Sequence, residues 1–388
     1  MMVFALLFVG CPLFGIVAYS VWLTRREEAT TDKLWALALM LSVYLGCLAA
    51  TKELLGDFLT YSRYFHEVPR HSGLGPYVAS FGKEPLYYGF TYLGYYLTNG
   101  SWRLFVIVLT AFNYLLLSYA VIRVGVRLHA SLNSVVASLF FMAFFFQEFA
   151  AIGNMLRQGL AQSIALVFLV RWHVEGKRPW WMALCALGVH SSCLPVLAVG
   201  VLPVLRQKLS WKALVRLVVV TVGLVIAFSR LAGLLSHLPF VGYVFGRAME
   251  GGKLLGADAW QTELGLQPSM LVLMGVLGAM VVFLYRRMEA GGAFVFVNLT
   301  LLLLVMMLVC DVLGMYYLQM RYFFYLYAFQ NVLLVLFLHE GRLWWSDVRK
   351  WLLMGVMMAY FFYELSHGFF SYLPVAEAFV FPLPLYVL

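Results

Sequence analysis

Long apolar runs separated by short polar punctuation set the pattern of this chain. Runs near 2–23, 34–50, 102–122, 133–150, 155–172, 214–235, 269–285, 292–312, 320–338 and 351–366 each approach the roughly 20 residues that carry a helix across a bilayer. Two shorter runs, 180–192 and 194–205, meet near Pro195 and predict a bent or re-entrant hairpin. Only helices and closed barrels satisfy every backbone hydrogen bond in hydrocarbon. Barrel strands alternate in polarity over about ten residues, whereas these runs are continuous. The pattern therefore predicts an all-α, polytopic membrane bundle of about 12 spans, with residues 1–388 as a single transmembrane domain.

Composition strengthens this reading. The chain is 63% hydrophobic and 12% charged, against about 45–50% and 25% in soluble domains. That charge is too sparse to coat a water-facing surface. The net charge of +9 does not signal nucleic acid, because the basic residues lie along the predicted connections. Arg25, Arg26, Lys33, Arg123, Arg127, Arg171, Lys177, Arg178, Arg206, Lys208, Lys212, Arg216, Arg286, Arg287, Arg342, Arg349 and Lys350 all fall on one set of short loops. The positive-inside rule makes that set cytoplasmic and places both termini outside. The first run lacks a basic leader and reads as a membrane helix. The five cysteines lie in apolar runs without a CxxC pair, as buried hydrophobes do.

Two segments predicted on the outer side are long: 51–101 and 236–268, both rich in aromatic residues and glycine. Such aromatics serve either as platforms for sugar rings or as an interfacial belt.

Polar residues recur at five places. If helical, the stretch from Lys52 to Tyr64 aligns Asp57, Tyr61 and Tyr64 on one face. Glu84 precedes Pro85, which predicts an extended residue just before a helix start, its carboxylate either capping that helix or serving a site. Asn154, Arg157, Gln158, Ala161 and Gln162 predict one polar stripe along an otherwise apolar helix. An arginine within a span costs about 2.5–3.5 kcal/mol unless paired or hydrated, so it predicts a cavity and an anionic ligand. His190 stands with Ser191 and Ser192 at the hairpin break, fit for a base or a diphosphate contact. Asp311 precedes the run Tyr316–Tyr325, where Tyr317, Arg321 and Tyr325 share a face beside Tyr322. All five map to the predicted outer half and predict one outward-facing cavity. No nucleotide-binding loop or zinc motif occurs, so neither cofactor nor metal is expected.

The ordered motifs Gly56-Asp57 with Tyr61, Glu84-Pro85-Leu86-Tyr87, Arg157-Gln158-Gly159-Leu160-Ala161, Lys177-Arg178, His190-Ser191-Ser192 and Arg321-Tyr322 resemble the EpsG family. Its members are Wzy-type bacterial polysaccharide polymerases of O-antigen and exopolysaccharide synthesis. Lys52 stands where the family leads one to expect an arginine, and 236–268 has no family template. The resemblance implies a GT-C-type, metal-independent glycosyltransferase of the bacterial inner membrane. It would join undecaprenyl-diphosphate-linked oligosaccharides at the periplasmic face, with a chain-length regulator as a further partner and no nucleic acid. Arg157 and Arg321 would then stabilise the leaving diphosphate, supported by Gln158 and Asn154. Asp57, Glu84 or His190 would serve as base, and Tyr61, Tyr64, Tyr87 and Tyr322 would line the substrate path. Two other classes are weighed against this one: a flippase for lipid-linked sugars, and a membrane acyltransferase using His190. The predicted cytoplasmic half is mostly apolar between its basic loops, which disfavours transport.

Overall fold

The computed structural model describes residues 2–25, 31–82, 84–220, 223, 268–312, 316–341 and 347–367. Among the described residues every regular element is helical. Five helices are long and apolar enough to cross a membrane, and six if one bent pair counts as a span. The described residues thus make a multi-pass helical membrane protein with fewer full-length spans than the dozen expected.

The shortfall has local causes. The expected span 2–23 divides into α1 (Met2–Gly10) and α2 (Pro12–Thr24). Pro12 lacks an N–H to continue the helix, and Cys11 is extended at φ −149°. The weak pair near Pro195 forms α11 (Trp180–Val189) and α12 (Leu194–Gly200), both too short to span. Only the start of the expected span 214–235 lies within the described residues, where 211–220 are helical. Segment 236–268 lies outside them, but for its last residue.

Two compact units divide the chain: Met1–Cys193 with Leu334–Leu388, and Leu194–Leu333. In the first, α3 (Thr31–Ala49) packs along α7 (Trp102–Arg127). A Cβ at Gly46 would lie 2.6 Å from the Ile107 carbonyl oxygen, so glycine permits this backbone approach. The expected span 133–150 is α8 (Leu132–Phe144) and α9 (Phe146–Asn154), bent by 52°. Next comes α10 (Leu156–His173), which runs alongside α7; Ser163 donates to Asn113 midway between them.

The long segment 51–101 folds as helices: α4 (Gly56–Glu67), a 3-10 turn (Val68–Arg70), α5 (Leu74–Phe81) and α6 (Pro85–Leu97). Its aromatic residues largely pack on one another. Tyr61, Tyr77, Tyr87 and Tyr88 are buried, and Phe81 stacks on Tyr88 with centroids 3.7 Å apart.

In the second unit, α13 (Pro268–Arg287) and α14 (Phe294–Val312) form an antiparallel pair. Asn298 accepts from Tyr285 and donates to the carbonyls of Leu205 and Gln207, at 2.7 and 2.8 Å. Those bonds satisfy its buried amide and pin the preceding turn. Leu271, Val272, Val276 and Val282 leave α13 with an exposed apolar face, suited to lipid. Helix α15 (Tyr316–Glu340) follows, and Gln319 donates to the Asp311 carboxylate at 3.1 Å. Last is α16 (Asp347–His367), which packs on α8 in the first unit.

Candidate active site

The first unit gathers residues from four separate stretches around one carboxylate, Glu84. Gly82 ends α5 in the left-handed conformation at φ +60°, and Glu84 itself is left-handed at φ 50° and ψ 53°. For a residue with a side chain this region costs roughly 1–3 kcal/mol, and a following proline ordinarily holds its neighbour extended. The expectation of an extended Glu84 is overturned. Its side chain makes no cap bond to α6. The turn aims the carboxylate across to α10 and to the end of α11 instead.

There each oxygen has its own partner. Arg157 Nη1 donates to Oε2, and His190 Nδ1 stands 2.5 Å from Oε1. The side chains are 7% (Glu84), 19% (Arg157) and 10% (His190) exposed, so the ions meet largely out of water. Removing one member of such a buried pair strands the other and costs about 3–5 kcal/mol.

Aromatic side chains complete the arginine's surroundings. Its Nε donates to the Tyr61 hydroxyl at 3.2 Å and its Nη1 to Tyr88 at 3.3 Å. Its guanidinium carbon lies 5.3 Å from the Tyr61 ring centroid and 6.0 Å from that of Tyr87, within cation–π range. Burial pushes the Tyr61, Tyr87 and Tyr88 phenols above their ordinary value, so they stay neutral. Tyr64 forms the next layer, edge-on to Phe81 and Tyr88.

Arg157 occupies the first turn of α10, where the helix dipole disfavours a cation. The expected polar stripe is not one helix face. Asn154 ends α9, and Met155 breaks the helix at φ −117° and ψ 62°. The break makes Arg157 the second residue of a new helix, while Gln158 is buried beside it. His190 ends α11 in extended backbone. A Cβ at Gly188 would lie 2.8 Å from the Leu86 side chain, so this glycine lets α11 close on α6 two residues before His190.

Asp57 is exposed in the first turn of α4, one turn from Tyr61. Lys52 is buried nearby; burial pushes its amine down to about 7, and the Asp57 charge pulls it partly back up. Arg321 and Tyr322 belong to the second unit, where Tyr322 is buried against Tyr325. Sequence reading did not single out Tyr88, although its place one turn after Glu84 on α6 was the available signal.

Residues 33–375 match the sequence profile of the EpsG family. The chain belongs to that family. EpsG is a Wzy-type polysaccharide polymerase family, so this EpsG protein is a polysaccharide polymerase of the glycosyltransferase type. No curated protein and no solved structure matches the chain.

A second charged cluster also escaped sequence reading. Glu175, just beyond α10, accepts from Arg123 at 2.5 Å and from Tyr119 at 2.7 Å, with Lys177 at 3.5 Å and Arg171 at 3.8 Å. Burial pushes its carboxyl up, but the Tyr119 and Arg123 hydrogen bonds and the neighbouring cations outweigh it and hold it below the ordinary value. Arg157 and Arg171 stand near opposite ends of α10, roughly 21 Å apart at the rise of a helix.

Proposed function

We propose that this EpsG protein joins oligosaccharide repeat units carried on undecaprenyl diphosphate, at the periplasmic face, with Glu84, Arg157 and His190 as its reaction centre. The observation that carries the reading is the bridging carboxylate: one oxygen to a cation, the other to an imidazole. With a proton on Nδ1, the nitrogen that faces Glu84 Oε1 at 2.5 Å, Nε2 of His190 is in the acceptor state. The acceptor sugar's hydroxyl attacks the anomeric carbon of the growing chain. Its proton passes to His190 Nε2 as the new C–O bond forms. The bond to the diphosphate breaks, and the departing negative charge falls to Arg157 at the α10 N-terminus. Glu84 is then a positioning residue, and Asp57, at the exposed edge, a contact for incoming sugar.

The remaining features belong to the same proposal. They are a GT-C-type architecture of about 12 spans, diphosphate stabilisation without a metal ion, and Arg321 with Tyr322 as further ligands. The basic Glu175 end of α10 supports the orientation, because it places the lysine- and arginine-rich loops opposite Arg157.

The test is to incubate purified protein with a lipid-diphosphate oligosaccharide and a chelator, without nucleotide sugar. A ladder of polymer is expected. Absence of a ladder until nucleotide sugar or a divalent metal is added would overturn the mechanism.

A further inference from the structure

Tyr88, one turn after Glu84 on α6, shows no surface to solvent. Four aromatic rings hold it. Phe81, the last residue of α5, lies flat against it, with the ring planes 2° apart. Tyr64, Tyr77 and Tyr87 meet it edge-on, with centroids at 6.1, 6.3 and 5.6 Å. The backbone secures this packing twice. Gly82, left-handed at φ +60°, ends α5 just after Phe81. The Tyr77 hydroxyl donates to the Tyr64 carbonyl at 2.9 Å and ties α5 to α4. A ring so enclosed has one place for its hydroxyl.

That hydroxyl meets Arg157. A guanidinium carries five N–H groups. Arg157 gives the one on Nε to Tyr61 and those on Nη1 to Glu84 and Tyr88. The two on Nη2 have no acceptor among the described residues. Nη2 is therefore the nitrogen left for a ligand, and the other three bonds decide where it points. The ion pair alone would hold Arg157 at one nitrogen and let the guanidinium plane swing about that contact. Tyr61 and Tyr88 pin the plane. Tyr88, wholly buried, reaches a substrate only through the arginine. We propose that Tyr88 is a positioning residue for polymerisation: its hydroxyl, held by the Phe81 stack, sets the plane of Arg157 so that Nη2 meets the departing diphosphate. This rests on the reading of Arg157 as the diphosphate ligand. Without the hydroxyl, the charge of Arg157, its ion pair and the aromatic stack all remain; the aim of Nη2 does not. Aim matters most in the transition state, where the leaving charge develops.

The test is Tyr88→Phe, which keeps the ring and its packing. Initial polymerisation rates of the purified full-length protein are measured against the concentration of a lipid-diphosphate oligosaccharide. A fall in kcat of about 10- to 100-fold is expected, the order of loss that follows misplacement by about 1 Å. KM is expected to stay within about threefold of wild type, as for an interaction made only in the transition state. Packing alone would leave kcat at the wild-type value, and that result overturns the proposal. Phe81→Leu tests the stack while keeping the hydroxyl. It is expected to lower kcat less than Tyr88→Phe does, and to add nothing when the two are combined, because Phe81 acts through the hydroxyl. Losses that multiply in the double variant overturn the clamp. Arg157→Ala separates this proposal from the reading beneath it. An inactive Arg157→Ala beside a fully active Tyr88→Phe removes the positioning role and leaves Arg157 as the diphosphate ligand. Polymerisation by Arg157→Ala at the wild-type rate removes that reading itself.

Discussion

The two ends of α10 each hold a carboxylate among cations, and they are built for opposite purposes. At one end Glu175 sits among Arg123, Arg171, Lys177 and the Tyr119 hydroxyl, on ordinary backbone. Its cations keep contact with water: the Arg123 and Lys177 side chains are 39% and 59% exposed. At the other end Glu84 holds two partners, both largely buried, from a backbone conformation that opposes its proline neighbour. The first arrangement is a fastening on a basic rim. The second accepts backbone strain, desolvation and an unfavourable helix dipole together, and such costs accumulate where geometry serves chemistry.

The sharpest way to break the contrast is to truncate one arginine from each end. Arg157→Ala is expected to abolish long polymer, a loss on the order of 10³-fold or more in rate, while single lipid-linked units persist on gels. Arg157→Lys is expected to restore little, because an ammonium cannot reproduce the forked geometry. Arg123→Ala is expected to keep polymer near the wild-type length. Equal loss from both arginines would erase the distinction.

A smaller effect separates fastening from chemistry. Glu175→Gln is expected to lower stability by about 1–2 kcal/mol, since its partners are only half withdrawn from water. Because the fold holds the Glu175 carboxyl below its ordinary value, its contribution is present above the unfolded pKa and is lost as pH falls through the folded one. Melting in detergent at pH values from about 4.5 downward should therefore show a flatter acid limb in the variant. An unchanged limb would count against the cluster as a fastening.

The apolar runs that became α3, α7, α14 and α15 could be read directly, because nothing interrupts their periodicity. Tyr61, Glu84, Tyr87, Arg157 and His190 could each be named from residue type in an apolar setting. Their meeting could not. It depends on the Met155 break, for which Gly153-Asn154 just before it is the only local signal, and on a Glu84 conformation that local rules disfavour. The Glu175 cluster was hidden because its members are ordinary loop charges until α7 and α10 lie side by side. The aromatic wealth of 51–101 suggested a sugar platform or an interfacial belt, whereas most of its rings pack against each other.

The smallest expected effect concerns Lys52. Its amine is pushed down to about 7 by burial, below the unfolded value near 10.4. Between those values the unfolded chain binds the extra proton, so stability rises with pH across that window. Lys52→Met should flatten the rise between neutral and alkaline pH by a degree or two in melting temperature per pH unit. A slope identical to wild type would show that the amine is hydrated in the folded protein.

The helix break at Met155 also reaches the main chain. A helix that starts one residue before Arg157 leaves its opening peptide N–H groups without partners inside that helix. Any phosphate oxygen arriving there would be held partly by main chain, which no side-chain scan removes. Mutagenesis by alanine would then understate the grip, whereas an amide-to-ester exchange in that turn would expose it.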